Sequence, residues 1–176
     1  VLSFDGVSDI KNPVLNGVNL VEEALKVRRE NNWPEARDSE LAAFIAYAVS
    51  FPKACLCLID TFDVLKSGLP NFICTAVALY KAGYKALGIR IDSGDLAYLS
   101  RMIHKEYEAM EAKYNVPFAS MIVVASNDIN VDVLYSLNKQ NHRIDSFGIG
   151  TNLVTCQGQP ALGMVFKLAD ANGKPR

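Results

Sequence analysis

The chain has 176 residues, half of them hydrophobic and 21% charged, with a formal net charge of −1. That length supports one domain with a real core. A charge near zero gives no footprint for nucleic acid or an anionic membrane, and no apolar run is long enough to span a bilayer.

In chain order, residues 1–13 read as loop, with turn signals at Asp5-Gly6 and Asn12-Pro13 and no signal-peptide pattern. A helix is predicted over 18–31, with the charge run Lys26-Val27-Arg28-Arg29-Glu30 as a solvated face. A second is predicted over 39–50, capped by Asp38 or Ser39, with Leu41, Phe44, Ile45 and Val49 as its apolar stripe. A repeating unit follows. Strands are predicted over 55–59, 86–91, 121–125 and 144–149. Helices are predicted over 71–82, 96–114 and 131–139, the last capped by Asn127 or Asp128. Near the end, a strand over 164–168 should enter a hairpin at Asn172-Gly173. Val1 is no initiator methionine and the returning strand has few residues, so the chain is expected to be a piece of a longer protein. Three parts are expected: residues 1–37, a βα portion over 38–163, and a truncated hairpin over 164–176.

Strands alternating with helices imply a parallel sheet, and continuous apolar strands imply a sheet buried on both faces. Cys55, Cys57, Cys74 and Cys156 show no metal-ligand spacing. They are expected to be reduced and mostly buried in a cytosolic protein, with Cys55 and Cys57 on one face of their strand.

Polar residues collect where the strands end: Asp60-Thr61-Phe62-Asp63, Asp92-Ser93-Gly94-Asp95, Ser126-Asn127-Asp128 and Gly150-Thr151-Asn152. In α/β proteins this end holds the ligand. Arg90 and Asp92 are two positions apart and should share a face. Alone, they read as either a buried ion pair or a binding site. Asp60 and Asp92 offer two carboxylates to orient ribose hydroxyls or hold hydrated Mg²⁺. Asp60 and Asp63 flank a turn and read as one cap and one solvated carboxylate, with Asp60, which ends the strand, the better site candidate. Gly148-Ile149-Gly150-Thr151 reads as either a tight turn or a phosphate cradle, in which glycines let backbone N–H groups approach and threonine adds a hydroxyl. Ser126-Asn127-Asp128 reads first as a helix cap, a position that also attracts phosphate. His104 and His142 lie off this face and are expected at the surface.

The string Gly88-Ile89-Arg90-Ile91-Asp92-Ser93-Gly94-Asp95 resembles the nicotinate phosphoribosyltransferase family. So do Asp60-Thr61-Phe62-Asp63-Val64, Ser67-Gly68-Leu69-Pro70-Asn71-Phe72, Ser126-Asn127-Asp128-Ile129, Phe147-Gly148-Ile149-Gly150-Thr151, Gln159-Pro160-Ala161-Leu162-Gly163 and Phe166-Lys167-Leu168. The resemblance covers 39–176. It implies an α/β fold, part of the irregular barrel of type II phosphoribosyltransferases. It also implies an activity: nicotinate attacks C1 of phosphoribosyl pyrophosphate (PRPP), giving nicotinate mononucleotide and pyrophosphate, with ATP hydrolysis coupled and Mg²⁺ or Mn²⁺ required. That step leads into NAD synthesis.

By the same resemblance, Arg90 would contact the base and phosphoribosyl region. Asp92 and Asp60 would bind ribose hydroxyls or Mg²⁺-bound PRPP, with Ser93 as a neighbour. Ser126 and Asn127 would meet the ribose phosphate region. Gly150 and Thr151 would hold the 5′-phosphate, with Gly148 as a further substrate-binding residue. Family members use an ATP-phosphorylated histidine upstream and work as homodimers with a shared site. No histidine here matches that one, so the chain alone is expected to be inactive. The competing readings are a nicotinamide- or quinolinate-specific relative and a non-catalytic phosphate-binding α/β piece.

Overall fold

In the computed structural model, which describes residues 13–155 and 166–175, four parallel strands form the centre. They are β3 (Leu56–Leu58), β4 (Gly88–Ile91), β5 (Ile122–Ala125) and β6 (Ser146–Phe147). They lie side by side in chain order, with Leu56 opposite Gly88 and Gly88 opposite Ile122. A doubly wound sheet reverses its order at a switch point. This one does not, as suits a segment of a barrel. No closed barrel forms among the described residues.

The helices α3 (Leu69–Lys81), α4 (Leu96–Tyr114) and α5 (Val131–Lys139) alternate with the strands. Two more, α1 (Leu20–Glu30) and α2 (Asp38–Ser50), precede them. One sheet face carries Cys57, Ile59, Ile89, Ile91, Val123 and Ala125 into a core shared with Leu41, Ile45, Phe72, Ile73, Ile103 and Phe118. Leu20, Ala24 and Val27 of α1 join the same core. Cys55, Cys57 and Cys74 are free and buried, and burial pushes the Cys74 thiol up to about 12. The Sγ atoms of Cys55 and Cys57 stand 3.8 Å apart on one face, as their spacing requires. Cys156 lies outside the described residues.

Several local expectations change. The sheet is covered on one face only among the described residues: Leu58 and Ile122 are 39% and 38% exposed on the other. Continuous apolarity there does not report a second layer of helices. The first helix begins at Leu20 rather than 18, because Asn16-Gly17 turns a hairpin between β1 (Val14–Leu15) and β2 (Val18–Asn19). Asn16 and Gly17 both take positive φ, the signature of an Asn-Gly turn. The Asn19 side chain then caps α1 by accepting from Val21 and Glu22 N–H. The run 26–30 is no solvated face throughout. Val27 is buried, and the Arg28 guanidinium donates to Trp33 O, Ala36 O and Asp38 Oδ1.

A π-helical turn, Val64–Gly68, leads into α3, which starts before the expected residue 71. Asp63 Oδ1 accepts from Leu65 and Lys66 N–H, so of the two flanking aspartates Asp63 is the cap. Asn130, not Asn127 or Asp128, caps α5, and α2 is preceded by Arg37 with no side-chain cap bond. His104 is 7% exposed, not at the surface. At the end, Asn172-Gly173 turns between β7 (Asp170–Ala171) and β8 (Lys174–Pro175). Of the strand expected over 164–168, residues 164 and 165 lie outside the described ones and 166–168 are not strand.

A buried polar knot ties α2 to α3. Glu40 Oε2 accepts from Ser67 Oγ at 2.6 Å and Asn71 Nδ2 at 3.0 Å. Glu40 Oε1 and Asn71 Oδ1 are buried without partners. Burial pushes the Glu40 carboxyl above its ordinary range, against the lowering effect of Ser67 and Asn71. The folded chain therefore keeps a proton that the unfolded chain releases at lower pH. Stability from this group is full below the ordinary carboxylate range and falls as pH rises through the raised value. Glu40→Gln is expected to flatten the dependence of Tm on pH above that range without loss of Tm at neutral pH. A neutral-pH loss above about 2 kcal/mol, the scale of a newly unsatisfied buried group, would show that Glu40 is needed as an anion.

Candidate active site

β4 ends in Arg90-Ile91-Asp92, and the pleat puts Arg90 and Asp92 on the face away from the helices. They pair: Arg90 Nη2 lies 3.2 Å from Asp92 Oδ2, with side chains 43% and 40% exposed. The guanidinium expected inside the strand is thus half in solvent. Ser126, at the end of β5, closes a ring. Its hydroxyl accepts from Arg90 Nε at 2.7 Å and donates to Asp92 Oδ1 at 2.9 Å. Behind the ring, Asp60 at the end of β3 accepts from Asp92 N–H at 3.0 Å and Ser93 Oγ at 2.5 Å through one oxygen, Oδ2. Three strand ends are thereby joined by side chains far apart in sequence. Arg37 stacks its guanidinium 5.4 Å over the Phe62 ring beside this loop.

A cleft of about 290 Å³ opens next to the ring, lined by Ser126, Asp128, Ile129, Asn130, Gly150, Thr151 and Asn152. Gly148 lets the far wall approach. A Cβ there would meet Ser126 Cβ at 3.1 Å. Beyond it, the N–H groups of Gly150, Thr151 and Asn152 carry no hydrogen bond among the described residues, and Thr151 opens the short helix α6 (Thr151–Val154). Asn127, expected beside Ser126, lines the neighbouring hollow with Gly94 and Asp95 instead. The cause is local: Asp128 takes a positive φ of 45° and turns the chain. Asp128, Asn130 and Asn152 line the cleft although only the first and last stood in the polar strand-end runs. Asn130 was legible only as the last polar residue before an apolar helix. Neither histidine faces the cleft: His104 bonds Arg143 O, and His142 meets Asn138 and Ile144 N–H.

The carboxylates bear on Mg²⁺ directly. Both oxygens of Asp92 and one of Asp60 already accept hydrogen bonds. No three His, Cys, Asp or Glu side chains gather as a metal site among the described residues. A carboxylate has about four acceptor positions, so each Asp92 oxygen keeps one open and Asp60 Oδ1 accepts none of these bonds. Asp92 and Asp60 would hold a hydrated Mg²⁺ through those positions.

Parallel strands in chain order, with hydroxyl-, carboxylate- and guanidinium-bearing residues gathered at their carboxyl ends beside unbonded loop N–H groups, define a βα segment whose polar face lies at the strand ends where such folds hold ligands. Comparison with known proteins narrows the class. The model of the nicotinate phosphoribosyltransferase (NAPRTase) family matches residues 36–175, and the chain belongs to that family. It is 52% identical over 175 residues to nicotinate phosphoribosyltransferase 1 of Arabidopsis thaliana, a match covering 96% of this chain and 31% of that protein. It is 50% identical over 170 residues to nicotinate phosphoribosyltransferase of Dictyostelium discoideum, covering 96% and 29%. The crystal structure of human nicotinic acid phosphoribosyltransferase superposes with a TM-score of 0.70 at 36% identity, over 91% of this chain and 31% of that one. The chain thus spans about a third of the length of the relatives it matches.

Proposed function

We propose that this chain forms the phosphoribosyl-binding face of an enzyme that joins nicotinate to PRPP. The supporting observation is the Arg90–Ser126–Asp92 ring, backed by Asp60 and Ser93 and facing the Gly150-Thr151 wall. In the reaction, the nicotinate ring nitrogen bonds to C1 of the ribose. The C1–O bond to pyrophosphate breaks, and its electron pair leaves on pyrophosphate. Positive charge develops on the ribose, so catalysis is chiefly placement and charge stabilisation.

On this reading Arg90 holds an anion at the junction of base and phosphoribosyl group. Asp92 and Asp60 face the ribose, and their charge favours the cationic transition state. Gly150 and Thr151 take the 5′-phosphate through backbone N–H groups and the Thr151 hydroxyl, while Gly148, whose N–H bonds Ala125 O, lets that wall approach Ser126. Mg²⁺ or Mn²⁺, bound with the pyrophosphate of PRPP, would be held through the open oxygen positions of Asp92 and Asp60. ATP hydrolysis drives the step through a histidine that is neither His104 nor His142. The whole protein acts as a cytosolic homodimer and supplies nicotinate mononucleotide for NAD synthesis. No described helix is long and apolar enough to cross a membrane.

The test is product formation. The whole protein, given PRPP, ATP, Mg²⁺ and one of nicotinate, nicotinamide or quinolinate, should yield mononucleotide from nicotinate alone, read by mass spectrometry. The 176-residue chain by itself should yield none, since it spans about a third of its relatives and closes no barrel among its described residues. Preference for another base, or turnover by this chain alone, would overturn the reading.

A further inference from the structure

β6 carries the far wall of the cleft, yet it is a two-residue strand. Its first ladder step is completed by side chains. Asp145 N–H donates to Val123 O at 2.9 Å. In the register that follows, Val123 stands opposite Asp145, and a parallel ladder would send Val123 N–H to the carbonyl of the residue before Asp145, here Ile144. Instead Val123 N–H donates to Asp145 Oδ2 at 2.7 Å. The Arg143 carbonyl is taken by His104 Nε2 at 2.9 Å, and Arg143 N–H donates to Ser100 Oγ at 3.0 Å. Val123 is fully buried, so its N–H needs this substitute acceptor. Backbone pairing then proceeds, with Val124 opposite Ser146 and Ala125 opposite Phe147. Gly148 N–H reaches Ala125 O at 2.8 Å just before the loop passes Ser126.

We infer that Asp145 is a positioning residue for the phosphate wall: its carboxylate stands in for a strand carbonyl, fixes the register of β6 on β5, and so sets how far Gly150 and Thr151 stand from Ser126. The inference rests on the reading of this cleft as a phosphate site. A short edge strand specifies register weakly by itself, and Asp145 grips Val123 by main chain and side chain together. His104 Nε2 lies 3.7 Å from Asp145 Oδ2, so a role limited to pairing with His104 is the competing account.

Two variants of the 176-residue chain separate these accounts. Asp145→Ala removes the acceptor, whereas Asp145→Asn keeps an acceptor oxygen and loses the charge. Amide hydrogen exchange is read by NMR without ligand, and binding of ribose 5-phosphate is read from the Gly148 and Gly150 amide shifts. In Asp145→Ala, Val123 and Gly148 should exchange about tenfold faster, Ile89 in β4 should hold its protection, and ribose 5-phosphate should bind about tenfold more weakly. Asp145→Asn should stay within about twofold of the parent in both. Unchanged exchange in the alanine variant, or an asparagine variant as impaired as the alanine one, overturns the inference. If Ile89 loses protection too, the alanine variant has unfolded, and the asparagine variant decides. Failure of the unmodified chain to respond to ribose 5-phosphate would sink the cleft reading, while the exchange data still decide the role of Asp145.

Discussion

Arg90→Ala is expected to lower kcat/KM for nicotinate mononucleotide formation by the whole protein about 10²–10³-fold, the usual loss when one placed donor to a developing or bound anion is removed. Arg90 does two jobs at once. Its Nε and Nη2 hold Ser126 and Asp92, and its side chain is 43% exposed, so the guanidinium remains open to a ligand. Lysine supplies the charge but not the planar fork, so Arg90→Lys should recover less than a tenth of the lost activity. Folding should be nearly unchanged, because a half-exposed ion pair contributes at most about 1 kcal/mol. Wild-type turnover in Arg90→Ala, measured with PRPP well below KM, would assign the ring a structural role only.

Gly88→Ala should have the largest effect on stability. Gly88 opens β4 between two paired strands, and a Cβ there would stand 2.0 Å from Ile122 O and 2.7 Å from Ile122 N. Both contacts are backbone, so no side-chain rotation relieves them, and the φ of +152° is itself unfavourable for alanine. Overpacking of this kind costs about 3 kcal/mol or more, a large share of the ~5–15 kcal/mol that holds a domain together. Urea unfolding followed by circular dichroism should show a clearly lower midpoint at unchanged slope. A loss under about 1 kcal/mol would mean that β4 and β5 can part without harm. The same separation would pull Arg90 from Ser126, so any folded variant should also bind ribose 5-phosphate poorly.

What was legible in the sequence follows from range. The long helix α4 matches its predicted bounds because Leu96, Leu99, Ile103 and Met110 keep one period and Asp95 accepts from Tyr98 N–H at its start. α5 matches for the same reason, although its cap was misplaced. Arg90 and Asp92 on one face needed only the strand alternation. The partners that make a site of them did not show, since Asp60 and Ser93 are 33 positions apart and Arg90 and Ser126 are 36 apart. The burial of His104 is likewise settled by Arg143, 39 positions on. The Asn16-Gly17 hairpin was legible in principle from the dipeptide signal used at Asn172-Gly173. It was hidden by the helical pattern that begins immediately after it.

The ring at the end of β4 has a polarity as well as a shape. A serine hydroxyl has one proton, and Ser126 gives its proton to a carboxylate that can only accept. One of its lone pairs accepts from Arg90 Nε, so toward anything entering the cleft Ser126 presents its remaining lone pair. An anionic oxygen arriving there meets repulsion, whereas a sugar hydroxyl can donate. If the cleft takes a phosphorylated sugar as proposed, the proton direction imposed by Asp92 would sort its two ends, hydroxyls toward Ser126 and phosphate toward the N–H groups of Gly150 and Thr151.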